Sequence, residues 1–148
     1  MSTEKFVYVT YIATTPEKVW AALLEGALTR QYWRHDNVSD WKVGSTWEHR
    51  RSDGEQGKVD IAGKVVESVP PKRLVVTWAR PSEVAETAKH SRVTYEIEPV
   101  ASAVRLTVTH DQLEADPDMA RAISGGWPKV LSSLKSLLET GRPLNTWA

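Results

Sequence analysis

Residues 119–138, MARAISGGWPKVLSSLKSLL, decide how this chain folds. Met119, Ile123, Trp127, Val130, Leu131, Leu134, Leu137 and Leu138 recur three or four positions apart. That spacing places them on one side of a helix. The stripe is interrupted by Gly125-Gly126-Trp127-Pro128. Two glycines remove side-chain volume, and a proline inside a helix removes a backbone donor and bends the axis. Two readings fit the block. Either the helix lies over a hollow interior with Trp127 as the wall at the gap, or a kink is filled by a core tryptophan.

A long amphipathic helix needs a surface to cover, and the upstream sequence supplies strands. Phe6–Ile12 is rich in β-branched and aromatic residues and reads as the first of them. Thr15 is a good N-cap and Pro16 fits the first helical position. The helix they open runs through Val19, Trp20, Leu23 and Leu24 and stops near Gly26. A second short helix spans Leu28 to Trp33, and the turn formers of Arg34–Ser45 read as a loop.

Four or five strands follow. They are Thr46–Arg51, Gly57–Val66 with Val59, Ile61, Gly63 and Val65 on one face, Leu74–Ala79, the alternation Val93, Tyr95, Ile97, and the alternation Val104, Leu106, Val108, His110. Asp53-Gly54 marks one turn and Val69-Pro70-Pro71-Lys72 another. Arg80–Lys89 reads as a mobile polar loop, and the tail after Gly141-Arg142-Pro143 is expected to fray. Strands at this spacing with short turns make an antiparallel meander, and the final helix is the only element long enough to cover its apolar face.

The composition narrows the function. A chain of 148 residues suits one domain, spanning 1–148. Nineteen basic residues balance nineteen acidic ones, so the electrostatic term that nucleic-acid binding relies on is not advertised. No apolar run approaches the roughly 20 residues of a membrane span. The polar start, Met1 to Lys5, does not resemble a signal peptide. With no cysteine there is no disulfide and no thiolate chemistry. These points together lead us to expect a cytoplasmic protein without integral membrane association. Seven Trp against one Phe is an unusual choice, because an indole offers a broad flat surface and an N–H that seeks a partner.

Four stretches carry a resemblance. They are Thr15-Pro16-Glu17-Lys18-Val19-Trp20; Tyr32-Trp33 with Trp41-Lys42-Val43-Gly44-Ser45 and Trp47; Leu106-Thr107-Val108-Thr109-His110; and Gly126-Trp127-Pro128 with Leu131, Leu134 and Leu138. With them the chain resembles the Bet v 1/START-like helix-grip superfamily. Within it, the chain is similar to the small bacterial proteins named for the C-terminal domain of the heat-shock protein 90 ATPase activator. Ser45 stands where a second glycine is more usual. The resemblance implies an α+β fold in which a curved antiparallel sheet grips the long C-terminal helix, with a cavity between them. It does not imply one activity, since members bind lipids, sterols and polyketides and some catalyse ring closure.

The candidate chemistry is thin. His110 lies on the inward face with Val104, Leu106 and Val108. At a cavity mouth it could orient a ligand or move a proton; at the core edge it would simply bond a backbone carbonyl. His49 shares a face with Trp47 and Arg51, a set that suits an acidic or hydroxylated ligand group or else a solvated outer face. His35 and His90 read as surface loop groups. No histidine pair has metal-ligand spacing, no G-x-S-x-G elbow is present, and Ser124 is explained by a bond back to the preceding turn. Glu48, Asp60, Glu67, Glu96 and Glu98 fall on polar strand faces. We therefore assign no catalytic residue, metal or cofactor.

The aromatic set is the best signal, because apolar walls with a few polar groups are what a small-molecule site needs. The expected site comprises Trp33, Trp47, Trp78, Tyr95, Met119, Ile123 and Trp127 as walls, with His49 and His110 as polar contacts. The expected partner is a hydrophobic or amphipathic small molecule of lipid, polyketide or aromatic type, held by a monomer or homodimer. The alternatives are a cyclase- or hydrolase-type enzyme with a cavity histidine as base, and a chaperone-cofactor-like interaction module.

Overall fold

A computed structural model describes residues 5–114 and 116–146. The polar opening before Lys5 and the end of the tail, Trp147 and Ala148, lie outside the described residues. The order is β1 (Lys5–Ile12), α1 (Pro16–Leu24), α2 (Gly26–Trp33), β2 (His35–Val38), β3 (Thr46–Arg51), β4 (Val59–Val69), β5 (Arg73–Trp78), β6 (Ser91–Val100), β7 (Ala103–Asp111) and α3 (Pro117–Thr140). The strands form one antiparallel sheet in the order β1-β7-β6-β5-β4-β3-β2. The sheet curls into a half-barrel around α3, the helix-grip arrangement. Register shifts between Val65 and Glu67 and between His49 and Arg50 bend it, since an extra residue in one strand increases local twist.

Each helix begins as its sequence dictates. Thr15 accepts the Lys18 N–H at 3.3 Å, and Pro16 occupies the first position of α1. Asp116 accepts the Met119 N–H at 3.0 Å, with Pro117 first in α3. Gly141 ends α3 at φ 83°, its N–H on Leu137 O, a left-handed conformation glycine adopts without penalty. The helix runs through Pro128 without interruption.

Burial follows the two periodicities. Val104, Leu106, Val108 and His110 of β7 point inward beside Val93, Tyr95 and Ile97 of β6 and Leu74, Val76 and Trp78 of β5. Met119, Ile123, Trp127, Val130, Leu131, Leu134 and Leu137 of α3 close the same core. On the outer face the carboxylates are paired: Glu48 with Arg50, Glu67 and Glu96 with Arg73, and Glu98 with Arg105.

Four expectations need correction. The segment Arg34–Ser45 is not all loop, because His35–Val38 pairs with β3; tertiary pairing overrides the low strand propensity of Asp and Asn. Within it His35 is a partly buried strand residue rather than a surface loop group. Arg80–Lys89 is not a plain loop. It holds two single turns of 3-10 helix, and Arg80 is paired with Asp116 at the start of α3. The tail folds back along α3 as far as it is described: Ser133 Oγ donates to Leu144 O at 3.0 Å and Ser136 Oγ to Arg142 O at 2.7 Å.

Candidate functional site

Where α2, β5 and the first half of α3 meet, they leave a recess of about 200 Å³. Met119, Ala122, Ile123, Gly126, Trp127 and Val130 of α3 form one side, and Trp33 and Trp78 the other. The walls are almost wholly apolar. A Cβ on Gly126 would meet nothing within 4 Å, so the missing side chain at this helix position adds open space to the recess. Larger depressions exist elsewhere, about 520 Å³ by Lys5, Phe6 and Arg121 and about 590 Å³ by Trp20, Arg30 and Asp36. Their walls mix charged and apolar residues, so the smaller recess is the better candidate for an apolar ligand.

Of the expected site residues, Trp33, Trp78, Met119, Ile123 and Trp127 border this recess. Trp47, His49, Tyr95 and His110 do not. They pack behind it in a continuous set of rings. Trp33 lies 5.3 Å from Trp127 and 4.6 Å from His49, Trp78 lies 5.6 Å from Trp47 and 5.3 Å from His110, and Tyr95 is edge-on to Trp127 at 6.0 Å. Much of the volume beneath α3 is therefore filled by indole. Trp47 donates its N–H to Thr77 O at 2.8 Å across Gly63, where any Cβ would sit 2.0 Å from that same carbonyl oxygen.

His110 is fully buried rather than at a mouth. Its Nδ1 accepts the Trp127 indole N–H at 3.1 Å, its Nε2 is 2.7 Å from Ser91 Oγ, and Ser91 Oγ donates to Trp78 O at 3.2 Å. An indole N–H can only donate, so Nδ1 is unprotonated and the proton sits on Nε2, directed at Ser91. This relay joins α3 to three neighbouring strands. Burial pushes the His110 pKa down to about 3. The ring is neutral, and both of its nitrogens are in use.

His49 is anchored differently. Asn37 Nδ2 donates to Leu23 O at 3.3 Å, so its amide oxygen faces His49, whose Nδ1 donates to it at 2.6 Å. Burial holds His49 well below the ordinary histidine value, with the neighbouring His35 adding to the effect and Asp60 opposing it. His35 stacks on it at 3.9 Å and places its own nitrogens 2.9 Å from Trp33 O and 2.9 Å from Asp60 Oδ2. Arg51 also bonds Asp60, at 2.7 Å, rather than joining a ligand-binding face.

Sequence reading did not single out Asn37, Ser91 or His35 in these roles, whereas Gly126 belonged to the glycine block read as removing side-chain volume over a hollow interior. Ser91 was within reach, since the Val93, Tyr95, Ile97 alternation extends to it. Asn37 gave no signal: a polar residue among turn formers reads as solvent-facing. Among the described residues no group of His, Asp and Glu is arranged to hold a metal ion. Among the described residues no helix is long and apolar enough to cross a membrane.

Residues 13–139 match the model of the family described as Activator of Hsp90 ATPase homolog 1-like protein. No curated protein matches the chain. Among solved structures, the Aha1 dimer from Colwellia psychrerythraea is 24% identical, with 93% of this chain and 98% of that one covered and a TM-score of 0.74. An HSP90 activator from Plasmodium falciparum, PFC0360w, is 21% identical over 90% of this chain and 95% of that one, with a TM-score of 0.73. DynU16, a protein of the dynemicin biosynthetic locus, is 19% identical over 94% of this chain and 48% of that one, with a TM-score of 0.76. At these identities the likeness is one of fold.

Proposed function

The chain belongs to the Activator of Hsp90 ATPase homolog 1-like family, and from that premise we propose that it binds a small hydrophobic or amphipathic molecule in the recess between α2, β5 and α3. The observation that carries this reading is the apolar recess itself, kept open where Gly126 leaves a gap in an otherwise apolar helix face. Burial of a ligand's apolar surface there contributes roughly 25 cal/mol per Å² before ordering costs. An engineered apolar cavity of about 150 Å³ holds benzene, so a recess of about 200 Å³ favours a one-ring molecule over a lipid or polyketide. The structural likeness to a protein from a biosynthetic locus is in keeping with a small-molecule role. Native mass spectrometry of the purified protein tests the proposal directly: a co-purifying small molecule supports it. A bare protein that also takes up no added aromatic compound counts against it.

The cyclase or hydrolase reading has less behind it. A general base needs a lone pair facing the substrate, and both His110 nitrogens are engaged. His49 keeps Nε2 without a hydrogen bond among the described residues, yet it stands behind the recess wall rather than on it. The chaperone-cofactor reading rests on the family's name and on the likeness to an HSP90 activator. ATPase stimulation of a purified 90-kDa-class chaperone by the full chain would support it, and no effect at saturating protein would remove it.

A further inference from the structure

His35 is bonded on both sides of its ring. Nδ1 lies 2.9 Å from Trp33 O, at the end of α2, and Nε2 lies 2.9 Å from Asp60 Oδ2 on β4. A backbone carbonyl only accepts, and so does an ionised carboxylate. Burial opposes ionisation of Asp60, but the hydrogen bonds and charges of Arg51 and His35 outweigh it and hold the carboxyl below its ordinary value. Both His35 nitrogens therefore donate, and a ring that makes both bonds carries two protons and a positive charge. The charge sits at the C-terminal end of a helix, where cations are favoured, and the ring lies flat on neutral His49 at 3.9 Å. The surrounding charges have their own partners. Arg51 of β3 shares Asp60 at 2.7 Å, Arg34 turns to Asp53, Asp36 to Arg30, Arg50 to Glu48, and Glu55 to Lys58. Among the described residues Asp60 is the one carboxylate bonded to the ring.

We infer that His35 is a proton-operated clasp on the recess: with two protons it ties the end of α2 to β4 and holds Trp33 in place, and losing one frees that end and weakens ligand binding. The inference rests on the ligand-binding proposal and adds its regulation. Access to solvent makes the clasp workable. The His35 side chain is 21% exposed, whereas His49 is 4% and His110 0% exposed, so a proton can leave His35 without unfolding the core. The nitrogen that loses it turns a lone pair on an oxygen, and one of the two bonds becomes a repulsion. Trp33 receives the effect twice. Its carbonyl is one of the two acceptors. Its indole, a wall of the recess, lies 4.6 Å edge-on from the His49 ring on which His35 stacks. A wall held in its binding position costs a ligand less to order than one that is free to move.

The test follows the ¹⁵N-labelled full chain across roughly pH 5 to 8, the span in which histidine changes charge. Ring ¹⁵N signals read the number of protons on His35, the Trp33 indole signal reads the wall, and titration with isopropylbenzene reads the recess. Isopropylbenzene has no titratable group, so any change in its affinity belongs to the protein. At the acid end both His35 nitrogens should carry protons. As one proton leaves, the Trp33 indole should shift with the same midpoint and isopropylbenzene should bind about fivefold more weakly, the low end of coupling between sites. Asp60→Asn keeps the shape and removes the charge, so His35 should lose its proton at lower pH and the step in affinity should move with it. His35→Phe keeps a flat ring on His49 with no proton to lose, and its affinity should not change with pH. A His35 ring with the same proton count throughout, or one that titrates while affinity stays flat, would overturn the inference and leave the recess as a binding site. No binding at any pH would remove the recess reading and the inference with it. If His35→Phe does not fold, the unaltered protein and Asp60→Asn still decide the matter.

Discussion

The indole N–H of Trp127 donates to Nδ1 of His110 at 3.1 Å, so the tryptophan that walls the recess is held by a histidine that has no other acceptor to offer. The bond fixes the histidine tautomer, and the tautomer carries the link on to Ser91 and the Trp78 carbonyl. Removing the donor alone therefore separates hydrogen bonding from bulk. Trp127→Phe should lose about 1–3 kcal/mol of stability from the unpaired His110 Nδ1. Trp127→Ala should lose about 3–5 kcal/mol, because a cavity opens as well. Urea unfolding of both variants checks this, and a Phe variant as stable as the parent would mean the bond supports nothing.

Acid should unfold the protein earlier than its carboxylates require. His110, at about 3, and His49, well below 6.5, are neutral in the fold over a range where the unfolded chain binds protons. The stability they contribute is fully present above 6.5 and is lost progressively as pH falls toward the folded values. Between about pH 4.5 and 6.5, above the ordinary carboxylate range, each buried neutral histidine should add up to about 1.4 kcal/mol per pH unit to the slope. His110→Gln, whose amide can serve both Trp127 and Ser91, should reduce that slope toward half. An unchanged slope would show that His110 is not held neutral.

Gly63 and Gly125 should respond in opposite directions to the same change. At Gly63 an added Cβ meets Thr77 O at 2.0 Å, and Gly63→Ala should cost about 3 kcal/mol, the upper end for overpacking. At Gly125 nothing lies within 4 Å, and Gly125→Ala in a helix interior should stabilise by about 0.5–1 kcal/mol. Thermal melts of the two variants make the comparison.

Gly126→Leu should fill the recess from the helix side. Its Cβ points into open space, and leucine is a better helix former than glycine. The melting temperature should hold or rise while affinity for an added one-ring aromatic compound falls at least tenfold by titration, the scale of about 1.4 kcal/mol. Undiminished affinity would place any ligand elsewhere.

How much of this was legible beforehand depends on the residue type. The apolar spacing from Met119 to Leu138 makes α3 readable without tertiary information, and Thr15-Pro16 does the same for α1, because caps and periodicity are local. The alternation ending at His110 gives its inward direction. Its role is not local: the Trp127 and Ser91 partners lie 17 and 19 residues away. Strand β2 is invisible for the same reason. His35, Asp36 and Asn37 favour turns on their own, and only pairing with β3 makes them a strand. The wall set was partly legible, since large aromatic residues on inward faces can be counted. Which rings border open space and which pack behind them depends on three-dimensional packing that single-residue patterns do not encode.

Trp33, Trp47, Trp78 and Trp127 form a chain with neighbouring ring centroids 5.3 Å to 6.4 Å apart. At such separations an absorbed photon does not stay on the indole that captured it. Excitation hops along the chain, and light leaves from whichever member has the lowest excited state. The protein should therefore emit as one coupled set rather than as independent lamps, and deleting a member should change the colour or brightness of the rest.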